Sequence, residues 1–282
     1  MPGLMQGKRG LIMGVANDHS IAWGIAKAVA AQGATLAFTY QGEALGKRVK
    51  PLAQSIGSDF VLPCDVEDIK SVDAVFAAIA EQWGSLDFVV HAIAYSDKTE
   101  LKGLYADTTR DNFVRTMVIS CFSFTEIARR AAGLMTTGGS LITLTYGGST
   151  RVMPNYNVMG VAKAGLEASV RYLASDYGGR GIRVNAISAG PVRTLAGAGI
   201  SDARLMFNFM KRHSPLRRPI SIEDVGGAGL YLLSDLSAGV TGEIHYVDAG
   251  YNVVSMPHPT ALKTVDEAET AAEQRAAKDA AQ

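Results

Sequence analysis

Cysteine is nearly absent from this chain. Its 282 residues include two, Cys64 and Cys121, at no paired spacing. A disulfide framework and a zinc site are therefore set aside as organising devices, and a reducing compartment is expected. Both thiols are expected to be buried structural groups. Net charge is also lacking, because 27 Lys and Arg balance 27 Asp and Glu. A nucleic-acid binder normally carries a basic excess, so that class is set aside too. No run of about 18 apolar residues occurs, and the first residues lack the long apolar core of a signal peptide. The expectation is a soluble cytoplasmic chain with no nucleic acid and no membrane among its partners. His19, His91, His213, His245 and His258 show neither metal nor triad spacing, so no metal is expected.

Apolar residues and glycine are plentiful. Hydrophobic residues make up 48% of the chain, enough for a sizeable core. The 30 glycines cluster at the ends of apolar runs, where tight turns belong. Strand-length apolar runs cover residues 10–15, 35–40, 60–63, 86–92, 140–145, 183–187 and 243–247. Helix-like periodic stretches lie between them, at 21–32, 43–56, 71–83, 111–134, 156–177 and 221–233. This alternation predicts an α/β fold: one doubly wound (Rossmann) parallel sheet of about seven strands with helices on both faces, in a single domain. The domain is expected to span residues 1–258. Residues 192–215 break the regularity without a clean strand signal and read as a substrate lid or as a surface helical excursion. Residues 259–282 form a polar tail rich in Ala, Glu and Lys, expected to be frayed or disordered.

The first strand runs into a turn beginning at Gly14, where a dinucleotide's pyrophosphate would approach the backbone. The turn lacks the G-x-G-x-x-G pattern, so a plain strand-to-helix turn explains it equally well. Ser20 fits a helix N-cap, or its hydroxyl could bond a phosphate. Gly24 would let the helix pack close to the sheet. The second strand ends Phe38-Thr39-Tyr40-Gln41, with no carboxylate for a ribose 2′-hydroxyl. An amide at Gln41 can still bond that hydroxyl. No Arg follows at once to hold a 2′-phosphate, since Lys47 and Arg48 lie further on. NADH is favoured over NADPH. The third strand ends Cys64-Asp65-Val66. Asp65 could accept from an adenine amino group with Val66 against the ring, or it could cap the next helix. The fourth ends His91-Ala92-Ile93-Ala94, where Ile93 and its small neighbours could lie under a cofactor ribose.

The fifth strand leads into Tyr146. Ten residues later stands Tyr156, and seven after that Lys163. Seven residues is nearly two helical turns, so both would share one helix face about 10 Å apart along the axis. An ammonium there eases negative charge near a phenol and can hold ribose hydroxyls. On spacing alone such a pair is more often surface decoration. Its place after a strand end in a dinucleotide-type sheet favours a catalytic role.

These residues resemble the short-chain dehydrogenase/reductase superfamily. Within it, the chain is similar to the bacterial enoyl-[acyl-carrier-protein] reductases that use a Tyr-x6-Lys pair. The likeness covers roughly residues 4–256. It rests on Gly14 with Ser20-Ile21-Ala22, on Phe38-Thr39-Tyr40-Gln41, on Asn155-Tyr156-Asn157-Val158-Met159-Gly160, and on the segment from Arg183 to Pro191. Alcohol-oxidising members of the superfamily use Tyr-x3-Lys with a Ser 13 residues before the Tyr. Those positions here hold Met159 and Tyr146. A carbonyl or alcohol enzyme would need Ser and Tyr there, and a non-catalytic nucleotide sensor would be expected to lose the Tyr156/Lys163 pair.

The resemblance implies hydride delivery from NADH to C3 of a trans-2-enoyl thioester, with charge developing on the thioester oxygen. It implies that Tyr156 bonds that oxygen and is the donor, or the positioner of a donor, for the proton, that Lys163 holds the nicotinamide ribose, and that Tyr146 lines the acyl pocket, with a part in the proton step left open. It places Ile21, Val192 and Thr194 against the cofactor, and Ala94, Tyr95, Met159, Ala196 and Met206 in the pocket walls. It also implies a homotetramer built on helix and last-strand faces, and acyl carrier protein as the acidic partner bearing the substrate. Arg204, Lys211, Arg212, Arg217 and Arg218 are candidates to meet that carrier, with a solvated basic face as the alternative.

Overall fold

Strand β1, Arg9–Met13, shows how the chain divides between two cores. Its side chains alternate across the sheet. Leu11 and Met13 enter one buried cluster and Ile12 enters the other. The computed structural model describes residues 2–192 and 203–256, with the backbone alone at 203–205. The remaining strands are β2 (Thr35–Tyr40), β3 (Val61–Pro63), β4 (Phe88–His91), β5 (Gly139–Thr145), β6 (Ile182–Ala189) and β7 (Ile244–Val247). All pair in parallel, in the order β3-β2-β1-β4-β5-β6-β7. Such a sheet is buried on both faces, which is why its strands read as continuous apolar runs. The order reverses direction between β1 and β4. A ligand crevice opens there, beyond the carboxyl ends of the strands.

Helices α1 (Ile21–Ala30), α2 (Gly42–Ser55) and α8 (Ile222–Leu233) cover one face. Ile25, Val29, Val49, Val225 and Leu232 pack there against Ile12, Phe38 and Ile187. Helices α3 (Ile69–Trp83), α5 (Ser123–Leu134) and α6 (Asn157–Gly178) cover the other. Val75, Ile79, Phe124, Ile127 and Leu166 meet Leu11, Val89 and Val184 there. Helix α7 (Ala203–His213) falls within the segment read as a substrate lid or a surface helical excursion, so part of that segment is helical. Residues 193–202 and the tail 259–282 lie outside the described residues, and with them Thr194 and Ala196.

Two expectations need correction. The stretch 111–134 is not one α-helix. It is α4 (Arg110–Met117), a π-helical turn over Val118–Phe122, and then α5. Ser120 and Ser123 explain what the apolar periodicity hides. The Ser123 hydroxyl donates back to the Ile119 carbonyl at 2.6 Å, and Ser120 turns its hydroxyl out to the main chain of Tyr95. Gly24, for its part, makes room for a helix and not for the sheet. A Cβ there would lie 2.3 Å from the Ile222 carbonyl oxygen of α8.

Candidate active site

The turn after β1 begins at Gly14, whose φ is +97°. A Cβ at this position would sit 2.1 Å from the Ala92 carbonyl oxygen. The turn thus lies directly against the end of β4, at the point where the strand order reverses. Ser20 stands at the N-cap position of α1 but does not cap it through its side chain. Its hydroxyl accepts from the backbone N–H groups of Ala16 and Asn17, at 3.0 and 3.1 Å. The loop's own donors claim the oxygen that was expected to cap the helix. At the next strand end, the Gln41 amide donates to one Asp65 carboxylate oxygen at 3.0 Å. The other oxygen accepts from the Glu67 N–H at 2.9 Å, and the cap of α3 is Asp68. Val66 is buried beside this pair, and Ile93 packs onto the adjoining core.

A cleft of about 560 Å³ runs from the start of α1 to α6. Ile21, Val192 and Lys163 line it, together with Ala94 and Tyr95 after β4. Tyr146, Tyr156, Met159 and Met206 complete its predicted walls. Every expected pocket residue among the described ones therefore faces one cavity. Gly14, Ser20, Gln41, Asp65, Val66 and Ile93 are not among its lining residues. They occupy the turn after β1 and the ends of β2, β3 and β4.

Tyr156 is buried at the N-cap of α6, between Asn155 at φ +58° and Asn157 at φ +34°. Asparagine tolerates that left-handed region better than most residues, so the Asn-Tyr-Asn triplet suits this sharp entry into the helix. Gly148 leaves space for the Tyr156 ring, since a Cβ there would lie 2.4 Å from it. The Tyr146 and Tyr156 rings meet edge to face, with centroids 5.1 Å apart. Burial pushes the Tyr146 phenol up to about 12, helped by Tyr251 and Asp248. Burial, with Tyr146 and Glu167 nearby, also pushes the Tyr156 phenol well above its ordinary value. Both rings are held as neutral hydroxyl donors.

Lys163, two turns along α6, is 6% exposed and donates to the Leu144 carbonyl at 2.8 Å. Burial pushes its ammonium down to about 8, against the opposing pull of Cys121 and Glu167. Behind it, His91 on β4 is fully buried. Its Nδ1 lies 3.1 Å from Thr143 Oγ1 and its Nε2 lies 2.9 Å from Ser123 Oγ. Both hydroxyls also donate to main-chain carbonyls, Ser123 to Ile119 at 2.6 Å and Thr143 to His91 at 3.1 Å. Burial, and then the Lys163 charge, push His91 down to about 3.

His91 carries a consequence for acid stability. The unfolded chain protonates this imidazole near 6.5, whereas the folded chain keeps it neutral. Unfolding then takes up a proton, so stability falls as pH drops below 6.5, by about 1.4 kcal/mol per pH unit from this group. Urea midpoints should fall between pH 7 and pH 5, roughly the range above ordinary carboxylate titration. The His91 imidazole resonance should stay in its neutral position throughout, and a resonance titrating near its ordinary value would contradict this account.

Sequence reasoning missed a second wall of the cleft. Ser96, Asp97, Lys98 and Leu101 follow β4 and line the same cavity. Their backbone is pinned by buried side chains of the neighbouring helical segment. Ser120 accepts from the Tyr95 N–H and donates to the Tyr95 carbonyl, each at 2.9 Å, and Asn112 accepts from the Asp97 N–H at 3.0 Å. The available signal was position alone, since this loop leaves the carboxyl end of a strand beside the reversal in strand order. Cys64 and Cys121 are buried free thiols, as expected. No cluster of His, Cys, Asp and Glu among the described residues could hold a metal.

A glycine turn against a strand end, an α1 N-terminus opening on the cleft and a lysine at its floor fit a dinucleotide laid across the sheet. The order of strands, with a Tyr and Lys on the helix after β5, makes this a short-chain dehydrogenase/reductase. Within that class the chain belongs to the enoyl-(acyl carrier protein) reductase family, whose model matches residues 14–252. It is 79% identical over 266 residues to enoyl-[acyl-carrier-protein] reductase [NADH] 2 of Rhizobium meliloti (strain 1021), covering 94% of this chain and 99% of that protein. Its structure is similar to FabI from Candidatus Liberibacter asiaticus, at 65% identity and a TM-score of 0.90, covering 92% of this chain and 100% of that one. It is also similar to the enoyl-(acyl-carrier-protein) reductase of Anaplasma phagocytophilum, solved in complex with NAD. There the identity is 61% and the TM-score 0.89, over 92% of this chain and 98% of that one.

Proposed function

We infer that this chain reduces a trans-2-enoyl thioester on acyl carrier protein to the saturated acyl thioester, using NADH, in the last step of the fatty acid elongation cycle. The observation that carries this reading is the pair of neutral phenols, Tyr146 and Tyr156, facing one apolar cleft with Lys163 at its floor. The cofactor, when bound, supplies the hydride. Tyr156 donates a hydrogen bond to the thioester oxygen, where negative charge develops as the β-carbon is reduced, and it gives, or positions the donor of, the proton that completes the saturated thioester. Its raised phenol keeps the proton needed for that bond. Tyr146 packs on Tyr156 and shapes the acyl pocket. Lys163 bonds the nicotinamide ribose and holds positive charge beside it. Met159 stands where a carbonyl reductase would need a phenol, which speaks against that chemistry.

The cofactor is further assigned to Gly14, Ser20, Ile21, Gln41, Asp65, Val66 and Ile93, with Val192 and Thr194 at its nicotinamide and pyrophosphate. The Asp65 carboxylate bonded to Gln41 supports NADH over NADPH, because a 2′-phosphate near it meets like charge. The proposed substrate pocket comprises Ala94, Tyr95, Met159, Ala196 and Met206 beside the two tyrosines, under a lid at about 192–215. The reading is tested by following loss of NADH absorbance with a crotonyl thioester, and no oxidation with any enoyl thioester would sink it. Replacing Lys163 with Met should weaken NADH binding about tenfold or more, as loss of a charged hydrogen bond does, and titration calorimetry measures it directly.

The acidic carrier is proposed to meet exposed Lys211 and Arg212. Arg218 is a weaker candidate than the sequence suggested, because it is held bidentate by Asp224 at 2.6 and 2.9 Å. Arg217 bonds the Arg212 carbonyl. We also propose a homotetramer. Val114 on α4, Val161 and Tyr172 on α6 and Tyr246 on the edge strand β7 leave apolar surface exposed on the faces such an assembly would use. Light scattering should give about four chain masses. The two free thiols suit a reducing cytoplasm.

A further inference from the structure

Lys163 is the one buried Lys or Arg among the described residues. Burial of an ammonium is costly unless an opposite charge accompanies it. Titratable groups that meet its charge or share its cleft lie on several elements. Among them are His91 on β4, Cys121 on the π-helical turn, Tyr146 after β5, and Tyr156 and Glu167 on α6 itself. His91 is held neutral, and burial pushes the Cys121 thiol and both phenols up. Of these, only Glu167 supplies a carboxylate.

Glu167 follows Lys163 by four residues, so the two are neighbours on one helix face. It is 5% exposed, although glutamate is almost never fully buried without a partner. One of its oxygens accepts from the Thr145 hydroxyl at 2.7 Å. Thr145 is the last residue of β5, directly before Tyr146, and it lines the cleft. One buried carboxylate thus joins the helix that carries Tyr156 and Lys163 to the strand end that carries Tyr146.

We propose that Glu167 is a positioning residue, the buried counter-charge that keeps Lys163 an ammonium at the cofactor and ties its helix to β5 through Thr145. This rests on the reading of Lys163 as the ribose holder. Its negative charge also opposes ionisation of Tyr156, so one group keeps the lysine charged and the phenol neutral. Glu167 acts through both residues and is placed in contact with neither substrate nor cofactor.

The test is NADH affinity, by titration calorimetry, as a function of pH. Wild type should lose affinity at alkaline pH as Lys163 deprotonates. Glu167→Gln keeps an acceptor for Thr145 and removes the charge, so the loss should set in about one pH unit lower. Thr145→Val keeps the charge and removes the bond, so it should melt earlier with the wild-type pH midpoint. If Glu167→Gln does not fold, the double variant Thr145→Val/Glu167→Met removes both polar partners, and the same acidward shift is expected. An unshifted midpoint in the charge-free variant that folds would overturn the proposal, as would an equal shift in Thr145→Val. A Lys163→Met chain that binds NADH as tightly as wild type would instead overturn the role of Lys163 itself. Weak binding by Lys163→Met, with an unshifted charge-free variant, would overturn Glu167 alone.

Discussion

Tyr156→Phe is expected to lower kcat with carrier-bound enoyl substrate by about 10²-fold or more, with NADH affinity essentially unchanged. The phenol is buried, its ring is fixed against Tyr146, and its proton is held far above neutral pH. A donor so placed needs no reorganisation when charge appears on the thioester oxygen, so its loss falls on the transition state. Phenylalanine keeps the ring that packs against Tyr146 and Gly148, so the fold should survive. Single-turnover NADH oxidation separates this from slow product release. An unchanged single-turnover rate would show that Tyr156 is not the oxygen's partner. The matching Tyr146→Phe chain retains the edge-to-face packing and should lose much less.

The second large effect is expected at Gly14. An alanine there meets two penalties at once. Its φ of +97° is unfavourable for any residue with a Cβ, at about 1–3 kcal/mol. The added carbon would also lie 2.1 Å from the Ala92 carbonyl oxygen, so β1 and β4 must part at their carboxyl ends. Together these should cost about 3 kcal/mol or more, lowering Tm by roughly 6–12 °C for a domain of this size. NADH affinity should fall as well, because the displaced backbone is the turn proposed to hold the cofactor's pyrophosphate. Gly57→Ala is the control. Its φ is +81° but nothing lies within 4 Å of the new carbon, so it should show the conformational penalty alone. Equal melting temperatures for the two variants would mean that contact with Ala92 carries no weight.

The fold was legible because its signal is local and repeated. The run at β2 is bounded as expected, and β1, β4 and β6 differ from expectation by a few residues at their ends. A strand buried on both faces must be apolar throughout, so its extent shows in composition. The interruption of 111–134 was not legible. Val118–Phe122 is apolar enough to read as part of one helix, and the bonds of Ser120 and Ser123 to Tyr95 and Ile119 that accompany the π-helical turn depend on partners. Gly24 failed in the same way. The residue type announced a close approach, and only the fold could say that the neighbour is α8.

The site divides along the same line. Spacing alone put Tyr156 and Lys163 on one helix, and the residues at 146 and 159 set them apart from a carbonyl reductase's pair. These are relations along the chain, which helical geometry converts into distances. Sequence also announced the likeness that the family match bears out. Ser20 holds the N-cap position but makes no side-chain cap because loop donors three and four residues back claim its hydroxyl, and Ser96 to Leu101 were passed over because nothing in their order marks a cleft wall. Lys163 and Glu167 could be read as neighbours from their spacing. That both are buried, with Thr145 as the tie, was decided only when β5 and α6 packed together, because burial and charge compensation depend on what the rest of the chain places around them.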